Sequence, residues 1–170
     1  MKKILILTGI ALLALLSACA SSTEKSFNKY GISFTCPAEW AVTETENEDG
    51  LTSVTVEKTG KTSSGIVMIV IVDAEVEHSD LTEIYFNSLK NSDFADMVFR
   101  EFDEISYGTY SMTSTSYQGN MQGLALRGNF YSMIIGEQTI YVVEQEAIED
   151  IAVNKLGFER IKETLMFFAE

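Results

Sequence analysis

Seven consecutive apolar residues, Ile66-Val67-Met68-Ile69-Val70-Ile71-Val72, constrain this chain more than any other stretch. A strand with one wet face alternates polar and apolar residues, whereas a run without a gap must be covered on both faces. Seven residues are also far fewer than the ~20 that a bilayer-spanning helix takes. The run reads as the central strand of a sheet with a layer packed on each side.

The flanking segments supply the rest of that sheet. Tyr30 to Cys36 alternates, with Ile32, Phe34 and Cys36 on one face and Pro37 ending the run. Trp40 opens a second alternating segment that reaches Glu46. Asn47-Glu48-Asp49-Gly50 is a turn signal, and Leu51 to Lys58 places Val54 and Val56 together. Thr59 to Gly65 is a loop by composition. Asp80 with Glu83 three residues on has the spacing of a capping box, which predicts a helix over about 80–91 carrying Leu81, Ile84, Tyr85, Phe86 and Leu89. Strand patterns return over 97–105 and from Thr109 to Tyr117, with a turn at Gln118-Gly119-Asn120. Leu124 to Ile135, a turn at Gly136-Glu137 and Thr139 to Glu144 complete an antiparallel meander. Tyr107, Tyr110, Tyr117, Tyr131 and Tyr141, with Met112, Met121 and Met133, crowd this meander and are expected chiefly to fill its core. A terminal helix is expected at about 150–166, with Phe158, Ile161, Leu165 and Phe168 as its sheet-facing stripe and Gly157 as a weak point in its middle. The order of elements gives an α+β class: a single-domain α/β/α sandwich around a mostly antiparallel sheet.

The N-terminus sets an address. Lys2 and Lys3 precede an apolar run from Ile4 to Leu16, a basic start and short apolar core that mark an export signal. Leu16-Ser17-Ala18-Cys19 resembles the lipobox of bacterial lipoproteins. The resemblance implies recognition of Leu16, Ser17 and Ala18 by the signal peptidase and a diacylglyceryl thioether on Cys19, which becomes the new N-terminus. Two or more acyl chains hold a protein stably at a membrane where one does not. The expected organisation is a signal over 1–18, a lipidated cysteine and polar tether over 19–29, and the folded domain over 30–170. The expected location is the extracytoplasmic face of the cell membrane.

Charge and cysteine content narrow the function. The chain carries 12 Lys+Arg against 25 Asp+Glu, a net charge of −13. Two of the twelve basic residues lie in the signal, so the processed chain would be at −15. Such a body repels nucleic acid and anionic headgroups, so its membrane contact is expected through the anchor alone. With Cys19 lipidated, Cys36 is the one thiol left, no internal disulfide can form, and a buried small hydrophobe is its expected fate.

Catalytic motifs are sparse. There is no Gly-x-Ser-x-Gly and no Cys-x-x-Cys, and His78 is the only histidine. Gly60-Lys61-Thr62 lacks the earlier glycine of a phosphate loop, since Thr55 stands there. Thr45 to Gly50 lacks the first and twelfth ligands of a calcium loop. Asp73, Glu75, Glu77 and His78, followed by Asp80, form the densest set of potential metal ligands, because carboxylates at 73, 75 and 77 share one face of an extended chain. No cofactor is expected beyond a weakly bound divalent cation there. Paired carboxylates for glycoside hydrolysis are available among so many acids, but nothing singles out a pair.

One local pattern has a family likeness. Tyr30-Gly31-Ile32-Ser33-Phe34, then Pro37 and Trp40, resembles the opening of the PsbP-like domains, a superfamily that includes DcrB-like bacterial lipoproteins and a Ran-binding nuclear-import protein. The likeness extends over about 27–168 in element order. It implies an α/β/α sandwich and a non-enzymatic accessory role. The expectation is therefore a membrane-anchored, non-catalytic binding or assembly module with a protein partner near the membrane; the alternatives are a small-ligand or divalent-metal-binding lipoprotein and, behind these, a hydrolase using paired carboxylates.

Overall fold

The computed structural model describes residues 24–48, 50–60 and 64–168. Eleven strands and two α-helices lie in those segments. They are β1 (Lys25–Lys29), β2 (Ile32–Cys36), β3 (Trp40–Glu48), β4 (Leu51–Lys58), β5 (Ile66–Val72), α1 (His78–Asn91), β6 (Phe94–Phe99), β7 (Asp103–Tyr107), β8 (Tyr110–Met121), β9 (Leu124–Ile135), β10 (Gln138–Ala147), α2 (Ile151–Thr164) and β11 (Met166–Phe167). A single 3-10 turn, Ile148–Asp150, leads into α2.

The large sheet runs in the order β3-β4-β5-β10-β9-β8-β6, with β7 also paired to β8. Every pairing in it is antiparallel. β5 is interior, as its composition requires, between β4 and β10. Its side chains alternate between two covered faces. Val67, Ile69 and Ile71 join a core with Ile32, Phe34, Trp40, Ile161 and Leu165, while Met68 packs with Leu81, Phe130 and Val143. Each fully buried Val or Ile contributes roughly 1.5–3 kcal/mol, so a strand covered on both sides is worth about twice one that is not.

One face of the sheet is covered by α1. The other is covered by α2 together with a small second sheet, β1-β2-β11. Lys25–Lys29, expected within the tether, forms β1 and pairs along the whole of β2. The ordered domain thus begins ahead of Tyr30, because the edge of β2 offers backbone partners that a free tether would lack. The signal, Cys19 and the first part of the tether lie outside the described residues.

Several boundaries differ from the sequence expectation for physical reasons. The capping box does not form: α1 starts at His78, its N-cap is Glu77 without a side-chain bond, and Asp80 accepts from Ser79 Oγ. The expected strand over 97–105 is two strands. Its partner β8 is twelve residues long, and β6 and β7 pair with successive parts of it. Gln118-Gly119-Asn120 lies inside β8. The reversal falls instead at Gln122-Gly123, both with positive φ, as a tight two-residue hairpin requires. Gly119 is where Phe94 packs against the strand. The terminal helix ends at Thr164, since the chain then turns to pair β11 with β2. Phe168 is accordingly half exposed rather than part of the helix stripe, and the residues that α2 buries are Asn154, Gly157 and Ile161. Of the meander's large side chains, Tyr107, Met112, Tyr117 and Tyr131 are buried, and Tyr110, Met121, Met133 and Tyr141 pack partly buried against the core.

Candidate functional site

The face of the large sheet that carries α2 is apolar only over part of its area. Toward one end of β8, β9 and β10 it becomes polar. Antiparallel register sets the residues out in rows: Gln118 lies opposite Arg127 and Arg127 opposite Glu146, while Ser116 lies opposite Asn129 and Asn129 opposite Glu144. Side chains at alternate positions share a face, so both rows project to the same side as Tyr131 and Val142. α2 forms one wall with Lys155, Phe158, Glu159 and Lys162. The result is an open groove whose clefts adjoin at Arg127.

The far wall depends on a bulge. β6 pairs Ala95 with Asn120 and Val98 with Gln118, a register shift centred on Asp96, whose φ is +53°. One extra residue reverses which face each later side chain takes. Phe99 therefore stacks on Phe86 of α1, on the opposite face of the sheet, while Val98 and Arg100 line the groove. The Arg100 backbone N–H donates to the Ser116 carbonyl at 3.0 Å and holds this segment against β8.

At the inner end of the groove two carboxylates are fixed. Glu144 is buried and accepts from the hydroxyls of Tyr107 (Oε1, 2.9 Å) and Tyr131 (Oε2, 2.9 Å). Lys162 stands over the rings of both tyrosines, with Nζ 5.0 and 6.0 Å from their centroids. Burial pushes the Glu144 carboxyl above its ordinary range; the hydrogen bonds from Tyr107 and Tyr131, the Lys162 charge and Asn129 pull the other way without offsetting it. Burial and the Glu144 charge push both tyrosines up. Glu146 Oε1 accepts from Arg127 Nε (2.9 Å) and Nη2 (2.6 Å). Its side chain is 5% exposed, and its Oε2 is buried with no hydrogen-bond partner among the described residues.

The residues singled out from the sequence lie elsewhere. His78 is on the α1 face, with Nδ1 2.6 Å from Ser132 Oγ, Nε2 3.0 Å from Thr115 Oγ1, and its ring edge-on to Phe102 and Phe130. Both ring nitrogens are thus engaged by hydroxyls. Asp73 accepts from Gln138 Nε2 at 2.6 Å, and Glu75 and Glu77 face solvent. The extended geometry that would align 73, 75 and 77 is broken by a bend at Asp73-Ala74, which Thr139 holds through bonds to Ala74 O and Val76 N. Among the described residues no group of three or more His, Cys, Asp or Glu comes together as metal ligands. Cys36 is buried 3.8 Å from the Trp40 carbonyl, and burial pushes its thiol up, away from the reactive thiolate. Lys61 and Thr62 of the phosphate-loop-like motif, and Asp49 of the calcium-loop-like motif, lie outside the described residues.

The fold is a PsbP-like α+β fold. The cyanobacterial PsbP protein CyanoP from Synechocystis sp. PCC 6803, a solution structure, is similar over 89% of this chain and 96% of its own, with a TM-score of 0.61 at 10% identity. LpqN, a protein involved in cell envelope biogenesis of Mycobacterium tuberculosis, is similar over 86% of this chain and 91% of its own, with a TM-score of 0.56 at 9% identity. A protein from Bacteroides thetaiotaomicron VPI-5482 gives the same TM-score of 0.56 at 16% identity, over 86% of this chain and 49% of that one. At these identities the likeness is one of fold. No protein-family model matches the sequence, and no curated protein is similar to it in sequence. No helix among the described residues is long and apolar enough to cross a membrane.

Proposed function

We propose that this protein is a membrane-anchored, extracytoplasmic binding or assembly module, non-catalytic, whose working surface is the groove between α2 and the polar end of the sheet. The observation that carries this reading is the state of the groove's carboxylates. A general base or nucleophile needs a lone pair free to meet substrate. Glu144 spends both oxygens on tyrosine hydroxyls, and the charge of the buried Glu146 is paired with Arg127 through Oε1, which leaves its Oε2 as a hydrogen-bond acceptor. His78 is committed on the opposite face. The surface left open is suited to binding. Support for the anchor comes from Leu16-Ser17-Ala18-Cys19 behind a basic start and an apolar run. The envelope role stated for LpqN, a protein of similar fold, agrees with an extracytoplasmic setting.

The test is photo-cross-linking in intact cells, with the reactive residue placed at Gln118 in the groove or at Ile84, which is exposed on α1. A defined adduct from position 118, missing from position 84 and from the Cys19→Ala protein, is the expected result. The same adducts from both positions, or from the unanchored protein, would overturn the reading.

A further inference from the structure

Within the groove, the cleft between β6 and β9 has a composition unlike the rest of the molecule. The chain has 25 acidic residues and three arginines, Arg100, Arg127 and Arg160. Two of the three line this one cleft, with Ser116, Gln118 and Asn129, and no Asp or Glu among the described residues lines it. The cleft holds about 310 Å³, room for a monosaccharide-sized ligand. Arg100 reaches it only through the Asp96 bulge, which turns its side chain from the α1 face to the groove face. The bulge thereby adds the Arg100 cation, which has no ion pair among the described residues, beside Arg127, whose charge is paired with Glu146.

A second observation lies beside the first. Glu146 Oε2, on the next strand, is buried without a partner, and an unsatisfied buried acceptor is costly unless something donates to it. Arg127 joins the two places. Its guanidinium uses two N–H bonds on Glu146 Oε1 and has donors left over.

We infer that the cleft binds a phosphorylated sugar. The phosphate would sit between Arg100 and Arg127, with Ser116 Oγ and the Gln118 amide as further donors. A sugar hydroxyl reaching past Arg127 would donate to Glu146 Oε2. Arginine suits this task because its planar fork matches phosphate geometry. The inference rests on the reading that the groove is the working surface, and it names the chemistry of what enters it.

The test is calorimetric titration of the full chain, purified in detergent at low salt, with glucose 1-phosphate, glucose and inorganic phosphate. Glucose 1-phosphate is expected to bind saturably, inorganic phosphate more weakly, and glucose not at all. Arg100→Gln should weaken glucose 1-phosphate by about tenfold, the size of one charge-assisted contact. Arg100 is exposed and makes no side-chain ion pair among the described residues, so this variant keeps the fold. Glu146→Gln should lower the preference for glucose 1-phosphate over inorganic phosphate, with both affinities read because Glu146 also holds Arg127. Absence of saturable heat with glucose 1-phosphate overturns the inference, as does binding that Arg100→Gln leaves intact. Binding to phosphatidylglycerol vesicles without binding to glucose 1-phosphate would assign the cleft to a lipid headgroup and overturn it as well. Cross-linking from position 118 is read separately, so a defined protein adduct without sugar-phosphate binding would sink this inference and leave the binding module standing.

Discussion

The Trp40 indole fills the space that a Cβ at Gly157 would occupy. Trp40 is 1% exposed and lies edge-on to Phe158, with ring centroids 5.3 Å apart. Gly65 abuts the same ring, where an added Cβ would stand 2.7 Å from Trp40 Cη2. The Pro37 carbonyl accepts from the Trp40 N–H at 2.9 Å in the turn that delivers the ring. The glycine that looks like a flaw in α2 is thus the point at which the helix docks.

Gly157→Ala should therefore destabilise the protein although it improves helix propensity by about 1 kcal/mol. Overpacking a fixed aromatic ring costs about 1–3 kcal/mol, and the ring here has no free side to move into. A fall in Tm of about 5 °C by scanning calorimetry is expected for a chain of this size. A rise in Tm would show that the indole yields and that the contact is not a constraint.

Glu144 makes stability depend on pH. Its folded carboxyl titrates above the ordinary 4.5, so the native state holds the proton more tightly than the unfolded chain does. Stability should fall as pH rises from 4.5 toward the folded value and then level off. Glu144→Gln removes that slope, and urea unfolding midpoints across the acid range would display the difference. Tyr107→Phe should cost about 1–3 kcal/mol, since it leaves a buried Glu144 oxygen without its donor.

His78 acts in the opposite direction. Burial lowers its pKa below 6.5, so the unfolded chain takes up a proton that the native state resists. Stability should decline as pH drops below 6.5 and down through the folded value. His78→Gln should flatten this limb while Glu144→Gln leaves it in place. Equal slopes for wild type and His78→Gln would place the ring in a more solvated setting than the contacts with Phe102 and Phe130 indicate.

Cys19 is predicted to carry the anchor. Cells fed labelled palmitate should label the wild type and not Cys19→Ala, and the variant should leave the membrane fraction or remain unprocessed. Labelled, membrane-bound Cys19→Ala would rule out lipidation at this residue.

The sequence by itself determined the elements that report on local physics. Ile66–Val72 had to be an interior strand because seven apolar side chains cannot be covered from one side. The Leu51–Lys58 and Leu124–Ile135 strands follow from alternation and flanking turns, and their observed limits match. The Gly31-to-Trp40 pattern pointed to the PsbP-like fold. Boundaries failed where a distant partner decided them: β1 exists because β2 offers an edge, and β6 and β7 are separate because one long strand receives both.

The groove was not legible in the same way. Ser116 and Gln118, Arg127 and Asn129, and Glu144 and Glu146 each show polar spacing of two, the mark of a strand's wet face, and each pair is unremarkable alone. Only the hairpin register sets the three pairs side by side, and only the Asp96 bulge adds Arg100 to them. The Asp73-to-His78 cluster shows the converse. Its residues are adjacent in sequence, yet a bend at Asp73-Ala74 and the packing of the His78 ring against Ser132 and Thr115 of the sheet send them apart. Periodicity is a property of neighbours along the chain and fixes which face a residue takes. Which residues meet across strands depends on register and bulges, which are set by contacts between segments far apart in sequence.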